Sequence, residues 1–214
     1  VEHFRRGLAL LEGLPAGPER IQLELALQMS LGTPFIATPG YPWWEVEQAF
    51  SRARDLCRVL GDPPELIPVL YGQFLYRVAR GELSRAAGEG EHILALCSQA
   101  CQLPTSPGIL AATHGLYGGV LMYQGRMGEA RQHLEQALAL YDPQRDRELA
   151  YQLGHDTGIL ASSYLAWVLW FLGEPEQAQA RQAQALAAAA VCEHAYSQAL
   201  GMVFAAVLEQ MLGR

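Results

Sequence analysis

Apolar residues recur at three- and four-residue spacing along most of the chain, the period of a helix buried on one side. In residues 131–140 the apolar positions are Leu134, Ala137, Leu138 and Leu140, with Glu135 and Gln136 between them. Strand signals are weak. Val, Ile and Thr are sparse, while the better helix formers Ala, Leu, Glu, Gln and Arg dominate. Punctuation is regular. Pro18, Pro64, Pro107 and Pro175 stand where a first helical turn would begin, a position that tolerates a missing N–H. Gly32, Gly61, Gly81, Gly125 and Gly173 stand at expected helix ends, where a left-handed cap favours glycine. Together these signals predict helices near residues 1–13, 18–31, 44–60, 64–80, 82–102, 107–124, 127–141, 158–172, 175–192 and 195–212, and an all-α fold.

The predicted helices pair, and the pairs repeat. Around Gly81, Gly125 and Gly173 an aromatic-rich helix stops at the glycine, and Ala86, Ala130 or Ala178 follows five residues later. Glycine permits a tight turn between antiparallel helices, and a small alanine lets the second helix lie close to the first. Residues 111–144 resemble the tetratricopeptide (TPR) pattern over one full repeat. Gly118 takes the small position of the first helix and Gly125 the turn. Ala130, Leu134 and Ala137 take the small–large–small positions of the second helix, and Pro143 follows. Weaker copies span residues 67–100 and 159–192, and residues 45–57, with Phe50 and Ala53, read as a degenerate second helix. The turn glycines lie 44 and 48 residues apart, longer than the usual period. The extra residues fall in expected loops, chiefly 103–107 and 142–158. The whole chain, 1–214, therefore reads as a single TPR-like domain, a right-handed superhelical solenoid of antiparallel helix pairs.

Composition narrows the function. Half of the residues are hydrophobic and 17% are charged, enough for a sizeable core and unlike a disordered chain. The net charge is −7, and every basic residue is arginine. An acidic chain with scattered arginines lacks the basic footprint of a nucleic-acid binder. Cys57, Cys97, Cys101 and Cys192 form no CxxC pair. Cys97 and Cys101 share a helix face but have no partner pair at ligand spacing, so small thiols of a reducing compartment are the plainer reading, and no metal is expected. No apolar run is long enough to span a bilayer, and a cytoplasmic location follows. The chain opens on Val1 inside a helical pattern, which reads as a fragment of a longer protein.

Three stretches carry a further resemblance: Leu14-Pro15 with Pro18-Glu19-Arg20 and Leu23-Glu24-Leu25; Glu45-Val46-Glu47 with Ala49-Phe50 and Arg52-Ala53-Arg54; and Gly154-His155-Asp156 with Ser163-Tyr164, Ala166-Trp167, Leu169-Trp170 and Leu172-Gly173. Over nearly the whole chain these resemble the C-terminal TPR-like region of large bacterial signalling proteins. Such proteins join a class III nucleotide-cyclase or kinase domain to a STAND/AAA-type ATPase followed by this helical region. The resemblance implies that any cyclase or ATPase chemistry lies upstream. This chain has no lysine and so no GxxxxGK[ST] phosphate loop, and neither enzymatic activity nor a cofactor is expected of it.

In a TPR array the first helices line a concave groove. The positions expected there are Tyr71 and Leu75, then Gly115, Gly119, Met122 and Tyr123, then Ser163, Trp167, Trp170 and Phe171. Such a groove is apolar and aromatic and lacks the basic donors of a carboxylate clamp. It suits a hydrophobic peptide, a partner protein, a neighbouring domain of the parent chain or a small apolar ligand. The same aromatics could instead be ordinary inter-helix core. His155 and Asp156, between Gly154 and Gly158, could bind a ligand or do acid–base work if a third polar group lay within about 2.6–3.2 Å. The plainer reading has Asp156 or Thr157 cap the next helix. Tyr41-Pro42-Trp43-Trp44 reads as a staple onto a helix start or as an exposed contact surface, and His92, His114 and His133 read as packing or surface residues. Ligand sensing that regulates an upstream ATPase or cyclase is the leading function. A self-association scaffold, a homo-oligomer without a ligand, is the alternative.

Overall fold

The computed structural model describes residues 2–11, 13–37, 43–99 and 106–214. Among them are helices and no strand: α1 Glu2–Leu11, α2 Pro18–Ala37, α3 Trp43–Val59, α4 Leu66–Ala79, α5 Leu83–Gln99, α6 Pro107–Tyr123, α7 Met127–Leu140, α8 Leu149–Leu153, α9 Thr157–Phe171, α10 Pro175–Val191 and α11 Ala195–Met211. The protein is all-α, and ten of these helices lie where the apolar period places them.

Two differences stand out. α2 runs through Gly32, expected as a helix end, to Ala37. One interior glycine costs a helix only about 1 kcal/mol and does not stop it by itself. The span 142–158, read as a loop, contains α8, whose five residues are too few to display a helical period. Cys101, Tyr41 and Pro42 lie outside the described residues.

The helix turns share one mechanism. Gly81, Gly125 and Gly173 have φ of +71°, +79° and +81°. At Gly125 the glycine N–H reaches the Met122 carbonyl and the Arg126 N–H reaches the Leu121 carbonyl. The same two bonds form at Gly81 and Gly173. This closure satisfies the last helical carbonyls and needs a left-handed residue, which a Cβ would strain. Ala86, Ala130 and Ala178, five residues on, are fully buried.

Packing follows chain order. Each helix lies against its neighbour, with α7 meeting α9 across the small α8. A second set of contacts joins α2 to α4, α4 to α6, α6 to α9 and α9 to α11. The first helices of successive pairs thus form a continuous row. The main core follows that row from Ile67 and Phe74 through Leu121 to Leu165 and Leu208, with Leu134 of α7 packed into it. A smaller cluster of Leu25, Ala53, Leu56, Cys57 and Val69 joins α2 and α3 to α4. No helix among the described residues is long and apolar enough to cross a membrane.

The segment between α7 and α9 is tied down at both ends. Asp142 Oδ1 accepts from the N–H groups of Gln144 and Arg145. Asp146, nearly buried, accepts from the Asp142 N–H and from the Arg145 guanidinium. Burial pushes the Asp146 carboxyl up, but the Arg145 and Asp142 hydrogen bonds outweigh it and hold it below the ordinary range. At the far end Asp156 caps α9 by accepting from the Ile159 N–H at 2.9 Å, and its other oxygen accepts from the Tyr141 hydroxyl at 2.8 Å. The Tyr141 ring lies over Gly158, where a Cβ would come within 2.3 Å of it.

Candidate functional site

Docked in this way, α8 and its flanks form one wall of a cavity of about 1170 Å³. The opposite wall is α2, through Gln22, Leu25, Ala26, Met29 and Ser30. The floor is the face of α4 that presents Pro68, Tyr71, Gly72 and Leu75, with Phe50 of α3 and Ile109 of α6 beside it. Leu153 and His155 close one side, with His194 and Tyr196 at the start of α11. Ring size sets part of this shape. Phe50 sits directly on Gly72, where a Cβ would lie 2.1 Å from the ring.

The cavity grades from apolar to polar. Leu25, Phe50, Tyr71, Ile109 and Leu153 are buried, as is His155. Gln22, Ser30, Glu65, Tyr151, Gln152 and Tyr196 are exposed at the rim. Glu65 is the one Asp, Glu, Lys or Arg side chain among the described residues that line it. The volume suits a drug-sized or somewhat larger molecule.

At the floor the Tyr71 hydroxyl and His155 Nε2 lie 3.2 Å apart, both buried. Burial, and secondarily His194, pulls the His155 imidazole down to about 4. Burial likewise raises the Tyr71 phenol well above its ordinary value. Both groups are therefore neutral near pH 7. Nearby, His194 Nδ1 lies 2.9 Å from Ser197 Oγ and accepts from the Ser197 N–H, capping α11. Ser197 Oγ in turn accepts from the Asp156 N–H at 2.7 Å. These bonds lock the loop before α9 to the start of α11.

The cavity brings together Tyr71 and Leu75 of the expected groove and His155 of the expected loop site. Asp156 points away from it, into the cap of α9. Met122 is buried in the core. Ser163 is fully buried, its hydroxyl without a hydrogen-bond partner among the described residues. Trp167 stacks on Phe204 of α11 with ring centroids 4.3 Å apart and donates its indole N–H to the Phe204 carbonyl. Trp170 meets Phe171 edge-on, and Phe171 is about half exposed. Tyr123 is exposed and meets the edge of Tyr164. The expected groove is thus divided, because α11 packs along α9 and takes Trp167 into an inter-helix contact.

The proposed acid–base pair divides similarly. His155 faces the cavity, whereas both Asp156 oxygens are engaged by Ile159 and Tyr141. Ser197 is fully buried, so its proximity to His194 places no accessible nucleophile there. Among the described residues no three metal-ligating side chains cluster. Cys57 is buried, and burial followed by Glu65 and Asp62 pushes its thiol up to about 11, the opposite of a reactive thiolate.

Sequence reasoning did not single out Gln22, Tyr151, His194 or Tyr196 as cavity residues. They come from three separate segments, and no local signal joins them. No protein-family model and no curated protein matches the chain.

Proposed function

We propose that this chain is a TPR-like, right-handed superhelical repeat domain that senses a ligand held in the cavity between α2, α4 and α8. The observation that carries this reading is the cavity itself, which is large, floored by apolar and aromatic side chains, and walled by segments far apart in the chain. The continuous row of first helices and the recurrent glycine turn support the superhelical arrangement. A ligand touching α2 on one side and α8 and α11 on the other favours the arrangement in which the two walls are close. That differential affinity is what a ligand needs to shift a conformational equilibrium. The resemblance to bacterial signalling proteins supplies the output: the altered curvature passes to an upstream ATPase or cyclase domain, or to a partner protein docked on the array.

Screening the purified chain by thermal shift and native mass spectrometry, alongside Leu75→Trp, tests this proposal. A sensed ligand stabilises the parent chain and shifts Leu75→Trp, whose indole takes up space along the α4 face of the cavity, less. A folded Leu75→Trp chain that responds as the parent does would place binding elsewhere.

A self-association scaffold is the second reading. It is favoured by the apolar side chains Met202, Val203 and Val191, exposed at 63%, 59% and 83% on α11 and the end of α10. Sedimentation over a concentration series separates the two. A dimer abolished by Met202→Glu with Val203→Glu supports the scaffold, and a monomer supports sensing.

A further inference from the structure

Away from the cavity, two half-buried histidines meet across the α6–α7 pair, with His114 Nδ1 and His133 Nδ1 2.8 Å apart. We propose that they form a proton-sensitive latch: the gap between the two nitrogens holds one hydrogen, and acid that brings a second forces α7 away from α6 and loosens the α8 segment anchored at the far end of α7. The latch is a property of this pair and stands whether or not the cavity takes a ligand.

The limit follows from valence and does not depend on which ring carries the hydrogen. A neutral imidazole has one N–H and one bare nitrogen, whereas an imidazolium has two N–H groups. While one ring is neutral, one Nδ1 can donate and the other accept. Once both rings are charged, two hydrogens point into a 2.8 Å gap and two like charges face each other across it. The surrounding charges are already engaged. Tyr117 of α6 meets the His133 ring edge-on and donates to Glu91 of α5. Glu129 of α7 binds the Arg126 guanidinium through both oxygens. α9 carries no Asp, Glu, His, Lys or Arg. Arg77, the one such residue of α4, pairs with Glu47 and Glu82.

Packing carries a displacement of this pair outward. Beside it the helices are close: a Cβ at Gly118 would come within 2.6 Å of Leu134, the neighbour of His133. Rings pushed apart there act on α7 as on a rod. At its far end Tyr141 donates to Asp156, and the Leu140 carbonyl accepts from Arg145, which also holds Asp146. Those bonds anchor the segment that carries α8. Once opened, the histidines take up protons at ordinary values, so falling pH favours the open form.

Hydrogen exchange at pH 7 and pH 5, read as protection factors so that the intrinsic pH dependence of exchange cancels, tests this on the parent chain, His114→Gln, His133→Gln and the double variant. In the parent, protection over α7 and residues 142–153 falls about tenfold between the two pH values, while that of α10 changes by less than about twofold. A latch needs both rings, so either single substitution removes most of that fall and the second adds little. His155, between α8 and α9, is present in all four chains, and its own titration cancels in the comparison. Two histidines acting separately would each remove about half, and that additive outcome overturns the latch, as does a parent whose α7 protection ignores pH. If circular dichroism shows a single variant to be unfolded, the NMR titration of the parent's histidine ring protons decides alone. Two coupled steps shared by both rings support the latch, and two independent one-step curves overturn it.

Discussion

Burial in the fold holds His155 and the His114–His133 pair below the ordinary histidine range. His114 Nδ1 and His133 Nδ1 lie 2.8 Å apart between α6 and α7, with the two rings stacked. One proton between two nitrogens at that distance is favourable and two are not. Burial first, then His133, pulls His114 down to about 4. Burial also lowers His133, against the opposing charge of Glu129. His155 likewise falls to about 4 from an ordinary 6.5. A folded pKa below the unfolded one means that the unfolded chain binds protons first as pH falls. The stability associated with neutral histidine is therefore full above about pH 6.5 and is lost progressively toward pH 4. For fully buried His155 the loss between pH 7 and 5 is on the order of 1–2 kcal/mol. Urea unfolding of the parent chain and His155→Gln at both pH values checks this, and the variant should show the shallower dependence. Glycine acts at the same scale. Gly72→Ala drives a methyl into the Phe50 ring and should destabilise by about 1–3 kcal/mol, whereas the ring's removal in Gly72→Ala with Phe50→Leu should restore part of that loss in the same unfolding assay.

Turns and caps decide how the helices meet. The closure at Gly125 requires positive φ, so Gly125→Ala should cost about 1 kcal/mol although nothing crowds the added methyl. Asp156 does more than cap. Its side chain joins the α9 N-terminus to Tyr141 at the end of α7, and its own N–H is fixed by Ser197 of α11. Asp156→Ala leaves the Tyr141 hydroxyl without its acceptor and removes the cap, and should destabilise by about 2 kcal/mol or more. Asp156→Asn, whose one amide oxygen can keep the cap while its NH2 donates to the Tyr141 oxygen, should cost less. Hydrogen exchange on the first turn of α9 reports the cap directly, and faster exchange there in Asp156→Ala is the expected result. The loop before α9 carries His155, so loosening this cap should also weaken occupancy of the cavity.

Across the molecule, the cavity opposes packing. About 1170 Å³ of space between α2, α4 and α8 forgoes contacts that a filled interior would make. Covering part of its apolar lining should therefore stabilise the chain. Leu75→Trp is expected to raise the unfolding temperature by a few degrees, with differential scanning calorimetry as the measurement. A drop would mean that the added ring meets side chains rather than open space. The helix row that shapes this cavity passes contacts only between near neighbours. On the proposed sensing role, a change in the spacing of α2 and α8 would pass along the stack from one helix pair to the next.

Ten of the helices, the glycine turns and one cap were legible in the sequence; α8 and the extension of α2 past Gly32 were not. These are local matters: an apolar period of three to four residues, a glycine where the last carbonyls need a left-handed residue, and an aspartate three residues before the N–H it accepts from. The burial of Ala86, Ala130 and Ala178 was legible for the same reason, since a turn of fixed length puts the fifth residue against the preceding helix. The site was legible only at Tyr71, Leu75 and His155. Whether Trp167 lined a groove or packed in the interior depended on where α11 came to rest, some 37 residues away in the chain. The cavity needed more still. Gln22, Tyr71, Leu153 and His194 belong to four segments with no shared period or motif. Only the stacking of the helices and the anchoring of α8 by Asp146 and Asp156 brought them to face one another, because side-chain direction across a space is set by packing between elements and not by the order of residues within one.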